Sequence, residues 1–564
     1  MLLNPKNYQI KHADKRFQEI VEKTIDFFEN KGLNKIKDDD KHRIWYADFL
    51  EFVKKENIFA TLLRPTEYGD EDSRWDTWRI AHYSEILGFY GLAYWYTWQV
   101  SILGLGPIWM TENEHLKQLA GKQLQEGEVF AFGLSEKEHG ADIYSTEMSL
   151  KPLEDGTYLA NGSKYYIGNG NVAKMVSTFG KMTDSNEYVA FVANYQHEKY
   201  DCVKNVVSSQ SYVAEYALHD YPISETDILA KGQTAWDSVL NTVNIGKYNL
   251  GWASIGMSTH AFYEAINHAS QRRLYKMHVT DFPHVKQLFV DAYSRLVAMK
   301  LFALRAADYM RVASPHDRRY LLYNPVVKMK VTTQGEEVVD LLWDVIAAKG
   351  FEKDTFFEMV ARDIRALPKL EGTVHVNVAL ILKFMANYFF KAIAFPEVTT
   401  QSQATNDDFL FHQGPTRGLG KIKFHDYKKV YASVNLPNIK IFRRQIRLLK
   451  LLLVLAKPSR SQQKDIDFLL ALGELFTLVV YGQLVIENAK IYGLGDDQLD
   501  QIFDFMVRDF SKHALQLYSK TNSTKTQMRL CSMMLKKPAV NQARFDRVWT
   551  NDVYALRDKY IMTD

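Results

Sequence analysis

With 564 residues, 46% hydrophobic and 24% charged, the chain exceeds what one hydrophobic core supports and has the composition of a soluble protein of several globular domains. Lysine and arginine total 70 against 67 acidic residues, a net charge of +3, too small over this length to argue for a nucleic-acid partner. Disordered and globally polybasic classes are excluded, and any basic character must be local.

The two cysteines, Cys202 and Cys531, lack metal-ligand spacing, so neither a disulfide framework nor a metal site is expected. That composition fits a reducing cytoplasm. The start, Met1 to Asn7, shows no charged segment followed by an apolar one, and no stretch approaches roughly eighteen uncharged apolar residues, so neither secretion nor membrane spanning is expected.

From residue 1 to 125 apolar residues recur at three and four, as in Phe17, Ile20, Val21, Ile25 and Phe28, which predicts a helical domain. Residues 126–236 predict a β domain. Its signals are the turn pairs Asp155-Gly156 and Asn161-Gly162, and the short apolar run Tyr188 to Tyr195. Helical periodicity returns over 237–394, with a break near Asp281-Phe-Pro283. Residues 395–420, rich in Thr, Gln, Asn, Gly and Pro, read as a linker. Residues 421–564 read as an appended helical domain.

Two blocks carry the chemistry. One is Phe132-Gly-Leu-Ser-Glu-Lys-Glu-His-Gly-Ala-Asp142 with Asn161-Gly-Ser-Lys-Tyr-Tyr-Ile-Gly-Asn-Gly170; the other is Glu371-Gly-Thr373, preceded by Gly350-Phe351 and Arg362-Asp363. Together they resemble the acyl-CoA dehydrogenase family over roughly Asp76 to Asn387, and Gly473 to Tyr481 with Met528 to Lys537 resembles the C-terminal extension of its very-long-chain members. The implied fold is α+β, mainly α: an N-terminal helical domain, a middle β domain, a C-terminal four-helix-bundle domain, and the appended helical domain.

The resemblance also implies a reaction. Desaturating an acyl thioester requires a base for the α proton and an acceptor for the β hydride, and no side chain accepts a hydride, so FAD is implied as cofactor. Glu371 stands at the position of the base, flanked by Leu370 and Gly372 on the substrate side. The other base position known in the family falls on Gly246, which has no side chain, and Lys247 replaces an arginine beside the substrate. A solvated helix lysine is the alternative reading of Lys247.

For the cofactor, the resemblance implies contacts from Phe132, Leu134 and Ser135, from Gly140 and Ala141 in the turn, and from Tyr166, Ile167 and Gly168. Gly168 departs from the usual Thr or Ser and resembles the acyl-CoA oxidases. Arg272 and Tyr275 resemble an Arg-x-x-Phe-Gly element that meets flavin pyrophosphate across a subunit interface, with Lys276 in the place of the glycine. Asp344 and Ala347 stand in for Gln and Gly, and Thr373 and His375 follow the base at flavin-touching positions.

The partners so implied are an acyl-CoA substrate, an electron-transfer flavoprotein and a second subunit, in a homodimer or homotetramer, with fatty-acid β-oxidation as the setting. An oxygen-using oxidase and a DNA-associated alkylation-response flavoprotein of the same fold are the alternatives. Tyr90, Tyr94, Trp95, Tyr96 and Trp98 either line the acyl tail or pack a core. Residues 421–457 interleave basic and apolar residues, which fits either a peripheral contact with the inner face of a membrane or a helix with a solvated basic face.

Overall fold

The structure, a computed structural model, describes residues 1–8 and 14–564. They fall into two compact units: Gln9–Asn249 with Ser402–Arg417 and Met562–Asp564, and Leu250–Gln401 with Met1–Tyr8 and Gly418–Ile561.

The first unit opens with helices α1 (Lys15–Lys31), α2 (Leu33–His42), α3 (Ala47–Lys55), α4 (Ile58–Leu63), α5 (Thr77–Tyr90), α6 (Leu92–Met110) and α7 (Glu114–Gln125). In α1 the Asp14 carboxylate accepts from the Phe17 amide at 3.1 Å, which caps the helix; Phe17, Ile20, Val21, Ile25 and Phe28 then form one buried stripe. By contrast α6 is buried on every side from Leu92 to Trp109, the polar Thr97, Gln99 and Ser101 included, so it shows no amphipathic pattern.

The β part comprises β1 (Phe130–Gly133), β2 (Ser149–Pro152), β3 (Tyr158–Gly168), β4 (Met175–Met182), β5 (Tyr188–Ala193), β6 (Tyr200–Asn205), β7 (Val213–Ile223) and β8 (Ile228–Lys231). The sheet runs β6-β7-β3-β2-β4-β5-β8, and β1 lies parallel to β4, pairing Phe132 with Ser177. Asp155-Gly156 forms the expected β2–β3 turn, with Gly156 at φ +84°. Asn161-Gly162 does not turn the chain. It lies inside β3 at a register shift, where Gly162 at φ +136° lets the strand pass Met148 closely; a β-carbon there would stand 3.0 Å from the Met148 Cα.

Helix α8 (Gly232–Gln271) begins directly after β8, and its residues to Asn249 belong to this unit. Part of the 395–420 stretch belongs here too. The Asp407 carboxylate accepts from the Thr77 amide at 2.6 Å, and Asn241 donates to the Gly414 carbonyl at 3.0 Å.

The second unit is helical. From Leu250 the rest of α8 leads into the hairpin β9 (Arg273–Leu274) and β10 (Met277–His278), then α9 (Pro283–Arg311), α10 (Tyr320–Val326), a π-helical turn Val327–Val331, α11 (Thr332–Ile346), α12 (Phe356–Asp363), α13 (Val374–Leu382) and α14 (Met385–Phe390). After the irregular stretch come α15 (Tyr427–Ala432), α16 (Pro437–Leu455), α17 (Ile466–Ile491), α18 (Asp496–Tyr518), α19 (Lys525–Met534) and α20 (Gln542–Val548).

Buried charges fasten these later helices to α9. Arg295 makes a forked pair with Asp509 at 2.8 and 3.0 Å, and Arg305 donates to Glu487 at 2.9 Å. By length and composition α17 is apolar enough to cross a membrane, which the sequence reading did not anticipate. Most of it, 83% of its most apolar window, is instead buried in this unit, so it serves as a core helix.

Candidate functional site

In the first unit, β1 carries Phe132, and Leu134 and Ser135 follow it immediately. The Tyr165 amide donates to the Ser135 carbonyl at 2.9 Å, and the Ser135 hydroxyl donates to the Tyr165 carbonyl at 2.6 Å, so this loop is stitched to the end of β3. A buried ion pair braces it from beneath: the Lys164 ammonium donates to Glu136 at 2.7 Å and to the Leu134 carbonyl at 3.1 Å. Desolvation pulls the Lys164 ammonium down to about 8 despite Glu136, whose carboxyl Lys164 holds below its usual range against burial.

Tyr166 stands at φ +66° and is 59% exposed, while Ile167 and Gly168 are buried. The structure therefore brings Phe132, Leu134, Ser135, Tyr166, Ile167 and Gly168 onto one rigid edge. Gly140 and Ala141 lie in an exposed turn beyond it, and a β-carbon on Gly140 would meet nothing within 4 Å.

Gly168 is the opposite case. A β-carbon there would stand 2.6 Å from Tyr96 Cε1 and 2.6 Å from Val100 Cγ2, so glycine is imposed by α6. Of the aromatic run on α6 and the end of α5, Tyr90, Tyr94, Trp95 and Trp98 are core residues: Tyr90 stacks on Phe28, Tyr94 meets Phe28 and Phe49, and Trp98 meets Phe59 and Tyr83. Tyr96 differs from them in meeting β3. Lys247 on α8 is buried at 7% exposure, which rules out a solvated helix lysine, and the carbonyl of the neighbouring Gly246 accepts from Gln99 at 3.1 Å.

In the second unit, Leu370, Glu371, Gly372 and Thr373 form the turn between α12 and α13. Glu371 is half-buried at φ +51° and Gly372 follows at φ +84°; the first is a conformation non-glycine residues rarely adopt. Lys328, fully buried in the π-helical turn, donates to the Pro368 carbonyl at 2.7 Å and to the Gly372 carbonyl. Asn377 adds bonds to the Gly372 and Thr373 carbonyls at 3.1 and 2.9 Å. Thr373 caps α13, and His375 is exposed in its first turn.

Arg272 directly follows α8, and Tyr275 and Lys276, at φ +50° and +68°, form the two-residue tip of the β9–β10 hairpin, with Tyr275 89% exposed. His268 lies within the charge range of Arg272 and Lys349; burial first, then those two cations, lower its pKa. Its Nε2 is buried without a hydrogen-bond partner among the described residues. An anionic phosphate would satisfy all three groups. Asp344 is exposed near the end of α11, and Ala347 terminates that helix at φ +57°, ψ −136°, a conformation suited to the glycine it replaces.

A family model described as "Acyl-CoA dehydrogenase, C-terminal domain" matches residues 235–386, which span α8 to the Glu371 turn and α13. Over these residues the chain belongs to the acyl-CoA dehydrogenase family.

Among relatives, a 3-(aryl)acrylate reductase of Clostridium sporogenes is 23% identical over 345 residues, 59% of this chain and 89% of that one. A short-chain-specific acyl-CoA dehydrogenase of Megasphaera elsdenii is 22% identical over 376 residues, 64% of this chain and 95% of that one. The crystal structure of an acyl-CoA dehydrogenase complexed with FAD from Bacillus anthracis superposes with a TM-score of 0.76 at 17% identity, covering 99% of this chain and 97% of that one. The acyl-CoA dehydrogenase fold, α+β and mainly helical, thus extends through the appended helices.

The residue that sequence reasoning missed is Lys328. Its signal was a lysine inside the apolar run Asn324-Pro-Val-Val-Lys-Met-Lys-Val331, where a charge has no reason to be buried unless it holds something.

Proposed function

We infer that the chain is an FAD-dependent dehydrogenase of fatty acyl-CoA thioesters, forming the trans-2-enoyl-CoA and passing electrons to an electron-transfer flavoprotein in fatty-acid β-oxidation. The observation that carries this reading is the Glu371 turn. A carboxylate held in a sparsely populated backbone conformation, with its flanking carbonyls pinned by a buried ammonium, is a preorganised base for a weakly acidic proton α to a thioester carbonyl.

The residues present fit the flavin. In the first unit the edge formed by Phe132 to Ser135 and Tyr166 to Gly168 would hold a flavin ring; in the second, taken by itself, Arg272, with His268 and Lys349, would hold a pyrophosphate, and Thr373, His375, Asp344 and Ala347 are the further contacts that the family resemblance implies. Bound FAD supplies the acceptor for the hydride leaving the β carbon. The exposed Arg272–Lys276 hairpin supports a homodimer or homotetramer in which one subunit's hairpin serves another's cofactor. Gly168 gives little support to the oxidase alternative, because Tyr96 and Val100 leave no open space beside it.

Helix α16 supports a peripheral contact with an anionic membrane. Ile439, Phe442, Ile446, Leu449 and Leu452 are buried on one face; Lys440, Arg444 and Arg447 share the opposite stripe with Leu451, Val454 and Leu455, which are 39%, 57% and 65% exposed. Flotation with phosphatidylglycerol vesicles but not with neutral ones is the expected result, and its absence removes this contact.

The central test is spectroscopic. The purified protein should be yellow, and acyl-CoAs of rising length should bleach it anaerobically; reoxidation by electron-transfer flavoprotein rather than by air separates dehydrogenase from oxidase. Glu371→Gln should slow bleaching by roughly 100-fold or more. Bleaching at the parent rate would overturn the assignment of the base.

A further inference from the structure

The end of β3 is fixed against α6 by a network that leaves Tyr96 no freedom of register. Asn169, at φ +57°, accepts from the Thr97 hydroxyl at 3.0 Å and donates to the Thr97 carbonyl at 3.2 Å and to the Phe130 carbonyl at 3.0 Å. The Ser101 hydroxyl, one turn along α6, accepts from the Phe130 amide at 3.2 Å. Thr97 is thereby locked to Asn169, and Tyr96 beside it stands over Gly168.

The space that a side chain at position 168 would fill is therefore taken by an aromatic ring from another element. Tyr96 keeps 9% of its surface exposed, whereas Trp95 and Trp98 keep none. It is the ring of this run that reaches both the strand end and the surface beside it.

We propose that Tyr96 is the specificity-determining residue of the flavin edge in this chain: the space that a side chain at position 168 on β3 would take beside the cofactor is filled here by the Tyr96 ring, delivered from α6. This rests on the reading that the Phe132–Ser135 and Tyr166–Gly168 edge holds FAD. An aromatic ring at that edge contacts the cofactor through its π face or rim, without the short aliphatic hydroxyl, so the reduced ring is stabilised differently. Gly168 and Tyr96 are then one functional unit and exchange together.

The experiment is a cycle of Tyr96→Val, Tyr96→Leu, Gly168→Thr and the double variant Tyr96→Val with Gly168→Thr, each isolated as the flavin-bound protein. Three quantities are read: the position and fine structure of the visible flavin band, the midpoint potential of the bound flavin, and the melting temperature of the apoprotein. Both Tyr96 variants should shift the band and the potential, with the milder Tyr96→Leu serving where Tyr96→Val does not fold. Gly168→Thr should lower the apoprotein melting temperature, and Tyr96→Val should relieve most of that loss.

Bands and potentials unchanged from the parent in every folded Tyr96 variant would overturn this proposal and leave the dehydrogenase reading intact. Parent protein that binds no flavin would overturn both. The stability cycle is read without cofactor, so a Gly168→Thr penalty undiminished by Tyr96→Val would overturn the packing argument by itself.

Discussion

Lys328 donates from its buried ammonium to the Pro368 carbonyl at 2.7 Å, and the same group reaches the Gly372 carbonyl, so one cation ties down both sides of the turn that bears Glu371. Lys328→Met keeps the apolar stem and removes the donor. Two carbonyls then lose a charged partner, which should cost about 2 to 3 kcal/mol in denaturant unfolding. Looser placement of the base should lower the rate of flavin bleaching by roughly 10- to 100-fold with little change in the binding of a non-reacting acyl-CoA analogue.

Gly168→Thr should destabilise the protein by about 1 to 3 kcal/mol, because the new side chain must displace Tyr96 and Val100 from a close-packed contact. Thermal unfolding of the purified variant reads this directly. Gly140→Ala, in a turn where nothing approaches a β-carbon, is the control expected to leave the melting temperature unchanged.

Ala347→Gly should stabilise the folded chain by about 1 kcal/mol. Its φ of +57° with ψ of −136° is costly for any side chain, and relief of that strain outweighs the extra freedom glycine has when unfolded. A lower denaturation midpoint for Ala347→Gly than for the parent would contradict this.

Acid stability should depend on Glu487. His425, Gln483, Tyr309 and Arg305 all reach its buried carboxylate, and these partners outweigh the cost of burial and bring its pKa from 4.5 to about 2. A depressed carboxylate contributes stability that is fully present above pH 4.5 and lost as pH falls through that value toward 2. Denaturation at stepped pH should show a shallower acid loss in Glu487→Gln than in the parent.

His268 should titrate below its ordinary value in protein stripped of flavin, since burial and the charges of Lys349 and Arg272 all oppose a third cation. Pyrophosphate should raise that value by supplying the opposite charge. Its imidazole proton resonance, followed by NMR with and without pyrophosphate, reports this; an unmoved titration would remove the phosphate seat.

The candidate site residues could be picked out from the sequence because they are close in the chain. Phe132 to Ser135 and Tyr166 to Gly168 each belong to a single strand end, and the Glu371 turn is bounded by Pro368 and by the Thr373 cap, so local residue types carried the pattern. Asn161-Gly162 misled for the same reason. Taken locally the pair is a turn signal, yet in β3 the glycine serves a bulge beside Met148, 14 residues away. Lys247 was equally ambiguous, since helix periodicity cannot say whether a long cationic side chain lies along a buried face.

By itself the sequence determined the succession of helical, β and helical segments and the placement of a carboxylate, a glycine-rich turn and a pair of strand motifs. These follow from periods of two and 3.6 and from residues with local backbone preferences. Only the tertiary structure decided that Lys328 holds the Glu371 turn, that Tyr96 dictates Gly168, and that α17 is a core helix, because each depends on contacts between residues 40 or more positions apart or on burial against other elements. Packing in three dimensions couples residues that no local pattern relates.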